Sequence, residues 1–315
     1  MNQIEQIISE LVKANDNNIP LKEVQEIYLK RCRHETRIDT FQYYKKHLET
    51  ILDYFHRKLV TSTSQITNDA LYDFIDYERA KGNKNKTINK RIGTLKQALQ
   101  YCEDQNLIKE NPMRKFKKLR NEDSEIKIID EKTLKTIFQY LHITEQTKEV
   151  IRTKAIIYIL YDTGIRKNEL RNIKLNELDI ENNQINLKYT KTNKHRTVYF
   201  GDETKAAIIN YLTEIVPKEY LIECVTEKKQ MASDSLDKVI RKIKRKLNLP
   251  NDVSISFHKF RHTYATNYLE NGANIEFVRE TLGHAKITTT QEYLHLSNNH
   301  LKEQHNKYSP LNKIR

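Results

Sequence analysis

Near the carboxyl end, the run His258-Lys259-Phe260-Arg261-His262 sets two imidazoles and a guanidinium within little more than one turn of a helix. Residues three and four apart share a helix face, so His258, Arg261 and His262 can address one target. Downstream, Leu282-Gly283-His284 closes another apolar-periodic run, and Tyr293 lies nine residues beyond His284. No carboxylate stands within the triplet. Such a set suits an anion that must be gripped and a hydroxyl that attacks it. A phosphodiester repels a nucleophile unless its non-bridging oxygens are neutralised, which the planar, permanently charged arginine fork does well. Arg261, and Arg166 just after Thr163-Gly164, are the candidates for that clamp. Either one alone reads more readily as a surface cation, or as the partner of a carboxylate such as Glu169.

A tyrosine phenol has an ordinary pKa of about 10, so on the order of one in a thousand is ionised at neutral pH. It becomes a useful nucleophile only where cations and a histidine lower that cost. Tyr293 is one of 18 tyrosines. Its distance from His284 and its place after the cap signal Thr288-Thr289-Thr290 set it apart from a packing residue. The departing 5′ oxygen needs a proton, and a lysine on a flexible β-turn, Lys191 or Lys194, can bring it.

Two sets of helices are expected to position these groups. Residues 2–14 have the pattern of a short helix, and Pro20 suits the first position of another running to about His34. From Thr40, the apolar stripe Phe41, Tyr44, Leu48, Ile51, Leu52, Phe55 and Leu59 keeps the 3.6-residue period. Thr67–Asp69 cap a further helix ending near Gly82, and Thr87 opens one through Ile92, Leu95, Leu99 and Cys102. Lys84, Lys86, Lys90, Arg91 and Lys96 fall on the polar faces. For any one of them a merely solvated face is the plainer reading. The stretch 113–120 carries Arg114, Lys115, Lys117, Lys118 and Arg120 and reads as an inter-domain linker lying against phosphates.

In the second set, Asp130 caps a helix, and residues 148–161 are apolar enough to be buried, ending at a Gly164 left-handed cap. Alternating runs at 178–180, 184–189 and 196–200 predict a small antiparallel sheet whose last turn holds Lys191, Asn193 and Lys194. Residues 235–247 bury Leu236, Val239, Ile240, Ile243 and Leu247. They expose Lys238, Arg241, Lys242, Lys244, Arg245 and Lys246, a face suited to reading a groove or backbone. A polar tail covers 298–315. The expected division is 1–118 for a helical DNA-binding domain, 119–127 for the linker, and 128–315 for a catalytic domain with that tail.

The whole chain supports a polyanion partner. A formal charge of +13 and a pI near 9.3 favour phosphate contacts driven by counterion release. Mean hydropathy is −0.78, and no apolar run reaches the ~18 residues of a membrane span. Cys32, Cys102 and Cys224 are scattered, so they read as reduced cytosolic thiols rather than disulfides or zinc ligands. His258 and His262 have a zinc-like spacing, but Lys259 stands where His-Glu-x-x-His needs its acid, so no metal is expected.

The segments TGIRKNEL, HKFRHTYAT and LGHAKITTTQEYLH, in this order, resemble the boxes of the tyrosine recombinase (phage integrase) family, Xer-like members included. The resemblance spans about residues 125–305, and the preceding helices resemble that family's core-binding domain. It implies a mainly α protein: an N-terminal helical, SAM-like core-binding domain plus an α-rich catalytic domain with a small antiparallel β-sheet. It further implies Arg166 as the first arginine, Glu169 as its prop, Lys191 as the hairpin lysine, and His258 with Arg261 as the His-x-x-Arg pair. His284 then takes the second histidine position and Tyr293 is the nucleophile. The hairpin, TKTNKHRTVYF, lacks the glycine and proline common around that lysine, which keeps Lys194 open as the general acid. The chain also begins almost directly with core-binding helices, leaving no length for an arm-binding domain.

The implied activity is site-specific recombination through a 3′-phosphotyrosyl link, without metal, ATP or other cofactor. The implied partner is double-stranded DNA with specific core sites, held in a C-shaped clamp. A homotetramer would form on paired sites, each tail docking on a neighbour, with a DNA-bending protein or excisionase as candidate accessory. The expected location is cytoplasmic, on the nucleoid. DNA-contact candidates are Lys84, Lys86, Lys90, Arg91, Arg114, Lys115, Lys117, Lys118, Lys242 and Arg245. The competing readings are a type IB topoisomerase, which shares the phosphotyrosine chemistry, and a DNA-binding factor with a dead site.

Overall fold

The computed structural model describes residues 18–122, 126–188, 195–224, 226, 227, 229–293, 305 and 309. The expected helix at 2–14, the lysine-bearing turn and nearly all of the tail lie outside them. The chain divides into two compact units, residues 1–124 and 125–315.

In the first unit, α1 (Leu21–Glu35), α2 (Ile38–Arg57), α3 (Asn68–Ala80) and α4 (Asn85–Asp104) bury one apolar stripe each. Leu48, Ile51, Phe55, Phe74, Leu95 and Leu99 form the centre of that core. Thr67 caps α3, its hydroxyl accepting from the Ala70 amide at 3.2 Å. Leu59 was expected in the α2 stripe but is 79% exposed with φ +58°. It takes the left-handed position that ends the helix, with the Leu59 amide on His56 O and the Val60 amide on Phe55 O. A helix begins at Asn85 rather than Thr87, because the turn at Gly82 (φ +79°) reverses the chain quickly enough for Lys84 to serve as N-cap.

The basic stretch at 113–120 is part of this unit rather than a free linker. Asn89 holds Leu119 by both its amide and carbonyl, Asn85 donates to Arg120 O, and Lys96 Nζ donates to Arg114 O and Phe116 O. Met113, Phe116 and Leu119 turn inward every third residue, while Arg114, Lys115, Lys117, Lys118 and Arg120 stay exposed. The result is a strap with its backbone tied down and its charges outward. Arg91 departs from its expected place. It pairs with the fully buried Glu78 carboxylate, so it holds α4 to α3 instead of facing solvent.

The second unit is built around α6 (Lys148–Thr163), which is apolar on nearly every side because it is covered on nearly every side. It follows α5 (Glu131–Ile143), whose Asp130 cap bonds the Thr133 amide at 2.8 Å. Next come α7 (Lys167–Asn172) and an antiparallel sheet of β1 (Leu178–Asp179), β2 (Gln184–Leu187) and β3 (Arg196–Tyr199). Ile185 pairs with Leu178 on one side and Val198 on the other, which puts Ile185 and Val198 into the core. The remaining helices are α8 (Asp202–Ile215), α9 (Ser233–Lys246), α10 (Phe257–Glu270), α11 (Ile275–Leu282) and α12 (Thr288–Gln291). The outer face of α9 lines a groove of about 910 Å³ with Lys238, Arg241, Lys244 and Arg245.

Gly164 ends α6 with φ +59°, and a Cβ there would lie 2.5 Å from Cδ1 of Tyr264. That ring is buried and cannot swing aside. Gly164→Ala combines left-handed strain of about 1–2 kcal/mol with overpacking of a similar size. The melting temperature of the second unit should fall by roughly 5–10 °C in a calorimetric scan.

Candidate active site

The turn after α6 and the end of α11 converge, and arginine side chains bridge them. Arg166, in extended conformation at the start of α7, sends Nη1 to Glu169 Oε1 at 2.9 Å and Nη2 to Gly283 O at 3.2 Å. Arg261 on α10 is 5% exposed and donates to Gly164 O at 2.8 Å and Leu282 O at 2.6 Å. A third guanidinium, Arg196 of β3, donates to Thr281 O at 2.8 Å and grips both Glu169 oxygens at 2.9 and 2.7 Å. Three consecutive carbonyls at the carboxyl end of α11 each receive one arginine. Those carbonyls have no partner within their own helix and carry the negative end of its dipole, so cations are stabilised there. Gly283, at φ +63°, lets Arg196 approach: a Cβ would stand 2.9 Å from its Nη1.

Glu169 is 2% exposed. Burial pushes its carboxyl up, but the Arg196 fork and then Arg166 more than offset this and hold it below the ordinary carboxylate range. Arg261 is brought down to about 9 by burial and by Arg166, which leaves it cationic at neutral pH. Three guanidiniums against one carboxylate leave an excess of two positive charges, a ready seat for a phosphate.

Two histidines beside this cluster, His284 and His262, are neutral. His284 is brought down to about 3 by burial and by Arg261, Arg166 and Arg196, and its Nδ1 lies 2.9 Å from Thr290 Oγ1. His262 is brought down to about 4 by burial, His258, Lys259 and Arg261. Tyr293 is 3% exposed, and its hydroxyl lies 2.8 Å from His262 Nδ1. Its ring stacks over His284 with centroids 6.4 Å apart and planes 10° from parallel. Burial raises the phenol above its ordinary pKa, while Arg261 and Arg166 act to lower it. The phenol therefore sits within the field of both Arg261 and Arg166.

Of the residues expected from sequence, Arg166, Glu169, Arg261, His284 and Tyr293 are brought together. His258 is itself exposed, in the first turn of α10, and acts on His262 from there. Lys191 and Lys194 fall outside the described residues. Arg196 was missed. Its signal was indirect: a carboxylate buried as deeply as Glu169 needs more than one cation, and Arg196 opens the neighbouring strand. His262 was seen on the right face but without a partner. No cluster of potential metal ligands and no membrane-length apolar helix occurs among the described residues.

A helical protein that sets a buried tyrosine hydroxyl, bonded to a histidine, beside a cluster of three arginines belongs, as a class, to the enzymes that break phosphodiesters through a tyrosine. Comparison places it within that class. Residues 127–300 match the phage integrase family, and residues 26–106 match the phage integrase N-terminal SAM-like domain. The chain is 28% identical over 280 residues to tyrosine recombinase XerC of Listeria monocytogenes serovar 1/2a, covering 87% of this chain and 92% of that protein. It is 32% identical over 232 residues to tyrosine recombinase XerC of Staphylococcus epidermidis (strain ATCC 12228), covering 70% and 74%. The fold matches the crystal structure of XerH site-specific recombinase bound to palindromic difH substrate with a TM-score of 0.73 at 21% identity, over 88% of this chain and 82% of that one. The chain belongs to the phage integrase family. It is a tyrosine-type site-specific recombinase, an enzyme that cuts and rejoins DNA through a tyrosine-linked intermediate.

Because the Glu169 pKa is depressed on folding, its contribution to stability is complete above the unfolded value of about 4.3 and is lost as pH falls through the lower folded value. Glu169→Gln leaves two guanidiniums without their counter-charge and should cost about 3–5 kcal/mol at neutral pH. Denaturation of the second unit across pH should show this penalty shrinking in acid, where the wild-type carboxylate is itself protonated.

Proposed function

We propose that Arg166 and Arg261 clamp the non-bridging oxygens of a scissile phosphate while the Tyr293 oxygen attacks phosphorus. A 3′-phosphotyrosyl link forms and a free 5′ hydroxyl departs, protonated by Lys191 or, in the alternative, Lys194. His258 and His284 add hydrogen bonds to the phosphate oxygens, and Glu169 keeps Arg166 in place. The 5′ hydroxyl of a partner strand then reverses the reaction and conserves the bond energy. The observation that carries this reading is the Tyr293 phenol lying in the field of both guanidiniums. Preorganised cations at the point where charge develops are the main source of such catalysis.

The substrate in this reading is duplex DNA with specific core sites, bound by a homotetramer on paired sites, with a DNA-bending protein or excisionase as accessory. Lys84, Lys86, Lys90, Lys115, Lys117, Lys118 and Arg245 contact backbone phosphates. Arg114 pairs with Glu103 and Glu110, and Lys242 with Glu149, so these two contribute less. Such contacts position the protein and carry little sequence information. The chemistry serves integration, excision and dimer resolution alike.

Nicked duplexes tiled across the DNA flanking the gene should trap an SDS-resistant protein–DNA adduct that forms in EDTA, and Tyr293→Phe should form none. An adduct with Tyr293→Phe would remove the nucleophile assignment, and binding without cleavage on every tile would favour the accessory-factor reading. On the cleaved tile, loss of the general acid should slow cleavage by on the order of 10²-fold or more. A 5′-bridging sulfur, which leaves without a proton, should restore the rate. This pattern is expected for Lys191→Ala; finding it with Lys194→Ala instead would move the role to that residue.

A further inference from the structure

The nucleophile assignment leaves one question open: where the phenol proton goes. The hydroxyl of Tyr293 already has a partner, Nδ1 of His262 at 2.8 Å, with ring centroids 5.6 Å apart. The charged and titratable groups facing His262 are His258, Lys259 and Arg261 on its own helix, and Tyr293 and His284 from the following segment. Burial and the first three keep the imidazole neutral, at about 4. A neutral imidazole carries its one proton on either ring nitrogen; with that proton on Nε2, the tyrosine hydroxyl donates and Nδ1 accepts. The other histidines are placed differently. His284 addresses the face of the tyrosine ring and spends its Nδ1 on Thr290. His258 is itself exposed, at the start of α10.

We propose that His262 is a catalytic residue, the general base that takes the Tyr293 proton during attack and returns it during rejoining. This rests on the reading of Tyr293 as nucleophile. As the phenol oxygen bonds phosphorus, its proton passes to Nδ1; the bond from phosphorus to the 5′ oxygen breaks, and that oxygen takes a proton from the lysine. In rejoining, the incoming 5′ hydroxyl gives its proton back to the lysine amine, and Nδ1–H returns its proton to the departing tyrosine oxygen. Atoms and charge balance with no metal or added reactant. An imidazolium beside Arg261 and Lys259 is costly. The negative charge gathering on the phosphate as attack proceeds offsets that cost, so His262 is a weak base at rest and a stronger one when needed.

The test uses the full chain on the nicked duplex that wild type cleaves, following single-turnover adduct formation from acid to alkaline pH, with DNA affinity measured in parallel. His262→Gln and His262→Ala should bind DNA as wild type does and cleave on the order of 10²-fold more slowly at neutral pH. Their rates should climb about tenfold per pH unit toward the phenol pKa, where wild type is flat, and added imidazole should partly rescue His262→Ala. The amide oxygen of Gln can still accept a hydrogen bond. Wild-type rate and a flat profile in His262→Gln would therefore reduce His262 to a positioning acceptor, and a faster rate would make it a latch. Either result overturns the proposal. A readout on the unmutated protein stands apart from folding of the variants: nitrogen NMR should find His262 neutral with the proton on Nε2, and a proton on Nδ1 would overturn it. Should Tyr293→Phe still form an adduct, the nucleophile reading fails. Should it form none while His262→Gln is undiminished, only the base assignment falls.

Discussion

Three guanidiniums packed into one small, mostly buried volume repel one another, and the catalytic unit depends on how that repulsion is met. Two things meet it. The last turn of α11 offers three successive carbonyls, Thr281, Leu282 and Gly283, each taken by a different arginine. The single carboxylate of Glu169 sits between Arg196 and Arg166 and bonds both. Carbonyl dipoles hold the cations in place without cancelling their charge, whereas a second carboxylate would have neutralised the site. The cluster is thus held together by its own contacts and remains positive enough to want an anion.

That residual charge acts on the groups nearby. Burial is the larger cause, and the residual charge adds to it, in keeping His284 and His262 neutral. The same charge works against the burial that raises the Tyr293 phenol. In the proposed reading the phenol is idle in free enzyme and active on DNA, and this balance serves both states. Burial alone would make the phenol inert, and more exposed cations would be quenched by solvent. In that reading a bound phosphodiester changes the balance, since it neutralises the arginines while giving the phenol an electrophile. The environment is organised before substrate arrives, so little reorganisation is left for the reaction step.

The sequence made some of this legible and hid the rest for definable reasons. Helix cores were readable because Leu48, Ile51 and Phe55, or Leu95 and Leu99, follow the helical period, and the Thr67, Asp130 and Gly164 caps follow from local chemistry. Leu59 was misplaced because periodicity cannot say where a helix stops when a non-glycine residue takes the left-handed position. The three-residue inward repeat of Met113, Phe116 and Leu119 matches neither helix nor strand, so only its charge stood out. Arg196 was invisible because its partners, Glu169 and Thr281, are 27 and 85 residues away. Motif order could point to Arg166, Arg261 and Tyr293, but not to the contact between Tyr293 and His262, which spans 31 residues and two elements.

The same distinction between a charge and its partner governs the basic surface. Arg91 belongs to the folding energy of the first unit, since its carboxylate, Glu78, is fully buried and without it would keep only the Asn83 amide and no counter-charge. Lys244 is spent on the Asn251 and Val253 carbonyls, and Lys96 on the strap. Lys115, Lys117 and Lys118 have no carboxylate within reach among the described residues, and their backbone is held by Asn85, Asn89 and Lys96. A lysine on a fixed backbone gives up less freedom on meeting a phosphate than one on a loose linker. It also releases a counterion that a paired lysine has already lost. In the proposed reading the strap is therefore a place where part of the net charge of +13 is converted into affinity for a polyphosphate, and its apolar triplet is what holds those charges in place.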